Sequence, residues 1–318
     1  INILKGVFES YGFEPLETPA LEYEEVLLGK YGEEGDKLMY HFTDNGGRKV
    51  ALRYDQTVPL ARVVAQYGNE LPTPFKRYQI QPVWRAENPQ KGRFREFLQC
   101  DIDTVGMDSL YADSEVITVA AKSLEALGFI NYKIIMNDRA VFERMPKEAI
   151  VALDKLKKVG RDAVLSELTK RGIGKDIAET TTILQSMENK KPTERIEKIL
   201  SALADLGIES LKVEFSPTLA RGLDYYTGLI FEIEIDGYSA GSVCGGGRYD
   251  NLIGMFASKQ IPAVGFAFGF DRLLEAMDEL NLFPEEFGGT KVLVTIFSSE
   301  LQKQSLDCSM LLRSSGVS

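Results

Sequence analysis

Arg85, Arg93 and Arg95 sit between two apolar runs, Tyr78 to Trp84 and Phe94 to Cys100, and are followed by Gln99, Asp101 and Asp103. Guanidinium forks grip phosphate oxygens two at a time and keep their charge in a pocket where lysine loses its own. Gln99, Asp101 and Asp103 would share one strand face, because side chains alternate there with a period of two, and that face would offer acceptors to an ammonium or a ring N–H. A strand, a turn and a returning strand would bring both groups into one volume, suited to a ligand carrying polyphosphate and an amine. The turn itself, Asn88-Pro-Gln-Lys-Gly92, is polar and fit to touch a second large substrate. Taken singly, the arginines also suit a hairpin with a solvated surface, and the acidic residues suit a polar edge strand.

Two further constellations lie downstream. Arg221-Gly-Leu-Asp-Tyr-Tyr226 puts a guanidinium, a carboxylate and two phenols within six residues. Tyrosine can line a small pocket and still direct a hydrogen bond, although two successive tyrosines in a strand ordinarily face opposite ways. Gly245-Gly-Gly-Arg-Tyr-Asp250 combines backbone clearance with charge, and Gly269-Phe-Asp-Arg272 places an arginine at a strand-to-helix turn, where it could lie on an aromatic base. His41 is the sole histidine, which removes Ser/His/Asp and Cys/His triads and most zinc sites. Cys100, Cys244 and Cys308 are far apart and form neither a disulfide framework nor metal-ligand spacing, so a reducing cytoplasm is expected.

The elements that must hold these residues are legible in outline. Ile1, Leu4, Val7 and Phe8 predict a helix stopped by Gly12; Pro15 to Tyr23 reads as extended. His41 to Thr43 and Lys49 to Arg53 flank Asp44-Asn45-Gly46-Gly47, a hairpin signal. Thr57 to Tyr67 predicts a helix, 75 to 105 a strand and its return, and Asp113 to Leu127 an amphipathic helix. Between 139 and 212 the chain turns to lysine- and glutamate-rich helices, with Ile150, Leu153, Leu156 and Val159 as one apolar stripe and Ile196, Ile199, Leu200 and Leu203 as another. Leu229 to Ile235 alternates as a half-solvated antiparallel strand, and Asp271 to Leu280 is a helix. Residues 291–297 read as a fresh strand.

The 318 residues bound roughly two domains, and no apolar run reaches the ~18 residues of a membrane span. A net charge of −10 argues against broad non-specific nucleic-acid binding. Yet Lys76, Arg77, Arg85, Lys91, Arg93 and Arg95 outnumber Glu87 and Glu96 between Phe75 and Phe97, a basic strip able to focus an anion.

In this order the pieces resemble histidyl-tRNA synthetase, a class II aminoacyl-tRNA synthetase, over about residues 1 to 290. Phe75 to Gly106 is similar to the class's motif 2, Ala263 to Leu274 to motif 3, and the strand around Pro19 to motif 1, which builds the class's dimer interface. Arg221 to Tyr226 and Gly245 to Asp250 are similar to the two signatures particular to the histidine enzyme. The resemblance implies an α+β fold, an antiparallel sheet flanked by helices. It divides the chain into catalytic core at 1–138 and 213–290, a helical insertion at 139–212, and the start of a truncated α/β anticodon-binding domain at 291–318. Ile1 in place of Met makes a fragment the expectation.

The family's roles carry over residue by residue. Arg85 would hold the α-phosphate of ATP and the histidine carboxylate, with Glu87 near the adenine amino group. Arg93 would reach the γ-phosphate, and Phe97 and Arg272 would sandwich the adenine. Asp55, Thr57 and Gln99 would bind the α-amino group, with Gln56 also counted among the histidine-binding residues. Asp103 and Tyr226 would grip the imidazole, Tyr225 would line that pocket, Arg221 would stabilise charge growing on the α-phosphate, and Gln90 would face the tRNA acceptor end. The implied activity is ATP-dependent formation of histidyl-adenylate and transfer to tRNA(His), with Mg²⁺ accompanying ATP, in a cytoplasmic homodimer with no membrane attachment. Attack by an already ionised carboxylate needs no general base, which suits a chain without a catalytic histidine. Asp55 and Asp103 stand where many bacterial relatives carry glutamate, and Arg53 to Thr57 is closer to the archaeal and eukaryotic branch. The competing expectation is the histidine-sensing regulatory subunit of ATP phosphoribosyltransferase, a paralogue that typically loses the arginines present here.

Overall fold

The computed structural model describes residues 1–28, 36–143, 145–221, 225–257, 259–283 and 290–317, with main chain alone at Lys147, Glu148, Lys157 and Lys158. Gly222, Leu223 and Asp224 of the tyrosine motif lie outside the described residues. Two compact units result, Ile1–Leu280 and Asn281–Ser318.

The strands are β1 (Glu14–Pro15), β2 (Leu21–Tyr23), β3 (His41–Thr43), β4 (Lys49–Leu52), β5 (Phe75–Trp84), β6 (Glu96–Val105), β7 (Tyr132–Asp138), β8 (Val213–Phe215), β9 (Leu229–Ile235), β10 (Cys244–Arg248) and β11 (Ala263–Gly269). The α-helices are α1 (Asn2–Ser10), α2 (Glu24–Leu27), α3 (Thr57–Tyr67), α4 (Leu110–Ala126), α5 (Lys147–Asp154), α6 (Leu156–Val159), α7 (Arg161–Lys170), α8 (Ile177–Glu188), α9 (Glu194–Asp205), α10 (Phe270–Glu279) and α11 (Gln302–Ser314).

Eight strands form one sheet in the order β1-β5-β6-β11-β10-β9-β7-β8, antiparallel except for the outermost pairs β1–β5 and β7–β8. β2, β4 and β3 make a small second sheet, whose β3–β4 turn closes as predicted: Asp44 Oδ1 accepts from Gly46 N and Arg48 N, both at 2.9 Å, and Gly47 takes φ +76. The β5–β6 hairpin runs in register from Phe75↔Val105 to Trp84↔Glu96. β11 covers the other side of β6, so the Gln99-Asp101-Asp103 row stands on an interior strand and is buried. The polar edge-strand alternative fails there.

Three expectations change. α4 is buried on nearly every face instead of amphipathic, because it lies against the sheet beneath α1 and α9. Its hydroxyls at Ser114, Thr118 and Ser123 are satisfied by carbonyls one turn back, at 2.9, 2.8 and 2.7 Å. The Ile150–Val159 stripe breaks where α5 ends at Asp154, leaving Val159 half exposed, while Ile150 and Leu153 join a core with Ile135 of β7 and Ile230 of β9. In the second unit, residues 291–297 form no strand, since among the described residues no partner supplies a ladder; Leu293 and Phe297 are exposed and α11 is that unit's helix.

Candidate active site

A cavity of about 1030 Å³ opens over the sheet face that carries Gln99 and Asp103 of β6, Gly265 of β11, Gly245 of β10 and Glu232 and Glu234 of β9. Asp55, Thr57, Arg85, Glu87, Gln90, Arg93, Phe97, Arg221, Tyr225, Tyr226 and Arg272 also line it. Residues more than a hundred and fifty positions apart meet because β6 pairs with β11, whose last residue, Gly269, leads directly into α10.

Among the residues given family roles, Gln56 alone is absent from this wall, and Asp101, buried on β6, does not reach it either. The Gln56 side chain is fully buried, and its amide donates to Gln81 O at 2.8 Å and Gln99 O at 3.1 Å, tying the start of α3 to β5 and β6. Those main-chain acceptors hold it behind the cavity. Arg95 also misses the cavity; it is exposed and donates to Glu87 O at 3.2 Å.

Four of the cavity-lining residues are arginines. Arg85 donates from Nε to Tyr54 O at 3.1 Å and lies 4.3 Å from the Tyr54 ring centre and 5.0 Å from that of Phe97. Arg93 pairs with Glu87 at 3.0 Å; its turn is closed by main-chain bonds to Gln90 and by Gly92 at φ +67. Arg272 donates to Gly92 O and Ser242 O, both at 2.7 Å. Arg221 donates to Glu232 at 3.0 Å and Ser242 Oγ at 3.1 Å. Burial lowers the pKa of Arg272, and the charges of Arg93, Arg221 and Arg85 lower it further. Cations assembled against their mutual repulsion make a site for a polyanion.

The same cavity is lined by carboxylates and phenols. Asp55 Oδ1 accepts from Thr57 N at 3.0 Å and Val58 N at 3.1 Å, capping α3. Asp103 faces Arg77 of β5 and receives the hydroxyl of Tyr249. Tyr225 and Tyr226 both line the cavity, rings 4.6 Å apart and inclined at 56°, instead of pointing to opposite faces. Burial pushes Tyr226 up to about 12, so its hydroxyl stays a donor at neutral pH. Sequence reasoning counted Arg77 only in the basic strip, whereas it is fully buried against Asp103, and gave no role to Tyr249, Glu232 or the individual glycines; for Tyr249 the signal was present, inside the Gly245–Asp250 motif.

The family model for histidyl-tRNA synthetase matches residues 2–161 and 147–273. The chain belongs to the histidyl-tRNA synthetase family. A histidine-tRNA ligase from Cytophaga hutchinsonii is 39% identical over all of this chain and 81% of its own length. One from Aeropyrum pernix is 41% identical, covering 100% and 79%. The crystal structure of histidyl-tRNA synthetase from Nostoc sp. PCC 7120 superposes with a TM-score of 0.80 at 31% identity, over 99% of this chain and 79% of that one. A Bacillus halodurans C structure described as an ATP phosphoribosyltransferase regulatory subunit/histidyl-tRNA synthetase shares the fold, with a TM-score of 0.76 at 23% identity, over 100% and 86%. The fold is therefore that of this family, and the expected α+β class holds.

Proposed function

We propose that this chain activates L-histidine with ATP and transfers the histidyl group to tRNA(His). The observation that carries this reading is that one cavity is lined both by Arg85, Arg93, Arg221 and Arg272 and by Asp55, Gln99, Asp103, Tyr225 and Tyr226. The first set takes the triphosphate and the second the amino acid. The ionised histidine carboxylate attacks the α-phosphorus; the new O–P bond forms as the bond to pyrophosphate breaks. Arg85 and Arg221 neutralise charge on the α-phosphate, Arg93 holds the γ-phosphate, and Phe97 and Arg272 enclose the adenine beside Glu87. Asp55, Thr57 and Gln99 receive the α-amino group. In the second step the tRNA ribose hydroxyl attacks the carbonyl, its proton passes to the adenylate phosphate, and AMP leaves, with Gln90 facing the acceptor end.

Among the described residues no three His, Cys, Asp or Glu side chains gather as a metal cage. Mg²⁺ enters with ATP as part of the substrate, and Glu234 and Glu232, the latter shared with Arg221, are carboxylates on the cavity wall suited to its hydration shell. The core comprises 1–138 and 213–290, the insertion 139–212, and 291–318 opens the anticodon-binding domain. The working form is a cytoplasmic homodimer; among the described residues no helix is long and apolar enough to cross a membrane.

Histidine-dependent ATP–pyrophosphate exchange tests the activity. Exchange that requires histidine supports it. Histidine binding with no exchange would transfer the chain to the sensing paralogue, a reading that the intact arginine wall disfavours.

A further inference from the structure

Asp103 is held by two residues to which the proposed reaction gives no role, Arg77 behind the cavity wall and Tyr249 on it. Arg77, fully buried on β5, places Nη2 2.6 Å from Asp103 Oδ2, a charge contact whose N–H direction misses the hydrogen-bond line. Tyr249, also buried, donates its hydroxyl to Oδ1. Gly265, directly opposite on β11, leaves the space the carboxylate occupies. An ionised carboxylate has about four lone-pair sites, so one contact on each oxygen leaves acceptor capacity for the cavity. Arg77 is itself steadied by Gln79 Oε1 and Gln56 O, both at 3.3 Å, so the expected ligand Gln56 has its place in this support.

We propose that Arg77 and Tyr249 are positioning residues that hold Asp103 as an oriented, ionised acceptor, and thereby set the pocket's selectivity for an imidazole N–H. This rests on the assignment of Asp103 to the histidine side chain. Removing the charge of Arg77 leaves a carboxyl whose neutral form is favoured by burial and by the carboxyls of Asp55 before α3 and Asp101 on the same strand, with the Tyr249 hydroxyl the remaining contact that favours its charged form. A protonated Asp103 turns one acceptor into a donor and mispairs with the N–H it must receive.

The test is the pH profile of histidine-dependent pyrophosphate exchange for wild type, Arg77→Met, Arg77→Lys and Tyr249→Phe. The imidazole of the substrate titrates identically in all four, so only the difference between profiles is read. For Arg77→Met the acid limb of kcat/KM for histidine moves up by about one pH unit or more, and KM for histidine rises at neutral pH about tenfold or more, with KM for ATP within about twofold. Arg77→Lys restores part of the limb, and Tyr249→Phe shifts it in the same direction by less. An unmoved limb in folded Arg77→Met overturns the proposal, as does an equal rise in both KM values. Should Arg77→Met fail to fold, the volume-conserving Tyr249→Phe decides by the same criterion. A wild type without exchange at any pH sinks the functional reading itself, which is a different result from an active wild type whose variants do not shift.

Discussion

Gly245 on β10 lies directly beneath the guanidinium of Arg221: a Cβ there would stand 2.3 Å from Cζ and 2.5 Å from Nε and Nη2. The nearest atoms are the far end of a flexible side chain, so the backbone can accept a methyl group while Arg221 cannot keep its place. Gly245→Ala should therefore fold almost normally, with a melting temperature close to wild type, yet lose adenylate formation by roughly 10²-fold or more in kcat. Calorimetry beside pre-steady-state adenylate formation measures both. A variant with normal kcat removes Arg221 from the transition state.

Gly265 gives the opposite balance. A Cβ would meet Asp103 Oδ1 at 2.0 Å and the main-chain oxygen of Ile102 at 2.4 Å, and the main chain of an interior strand does not move aside. Gly265→Ala should cost about 1–3 kcal/mol in urea unfolding and also abolish histidine activation.

Asp55 combines a cap with a charge, and two substitutions separate them. Asp55→Asn retains the oxygen that caps α3 and should stay within about 0.5 kcal/mol of wild type, while KM for histidine climbs about tenfold or more. Asp55→Ala should add a stability loss of about 1 kcal/mol. Equal KM values for wild type and Asp55→Asn would remove the α-amino contact from the reading.

Burial raises Asp103 to about 6, against the opposing pull of Arg77 and the Tyr249 hydroxyl. Its ionised form is the stronger acceptor and protonation turns one oxygen into a donor, so kcat/KM for histidine should decline as pH falls through about 6, while ATP binding continues. Asp103→Ala should abolish exchange at every pH with ATP still bound, which equilibrium binding of a nucleotide analogue checks.

Asp113 of α4 is fully buried between Arg248, whose Nη2 lies 2.6 Å from Oδ1, and Arg195 of α9, 2.6 Å from Oδ2. Arg248→Ala leaves the carboxylate short of its deeper partner and should destabilise the protein by about 3–5 kcal/mol. Arg195→Ala, at a partly solvated site, should cost clearly less. Similar losses in the two unfolding curves would contradict this ranking.

Much of the fold was legible because local physics wrote it into neighbouring residues. Apolar runs marked β5 and β6, and alternation marked β9; Asp44 to Gly47 marked the hairpin turn; and residues 57–67 carried a helical pattern. Misreadings came where burial was decided from a distance: α4 looked two-sided until α1 and α9 covered it, and residues 291–297 looked like a strand with no described partner to complete one.

For the site, the chain alone determined the kinds of chemistry available, because arginine forks, carboxylates and phenols at fixed spacing are properties of residues, and their order matched one family. Tertiary structure decided which of them act together. It drew Arg85, Arg221 and Arg272 to one cavity, sent Gln56 behind the wall, and set Arg77, Tyr249 and Gly265 around Asp103. Pairing between β6 and β11 juxtaposes residues over a hundred and fifty positions apart, and no local pattern specifies a register at that range.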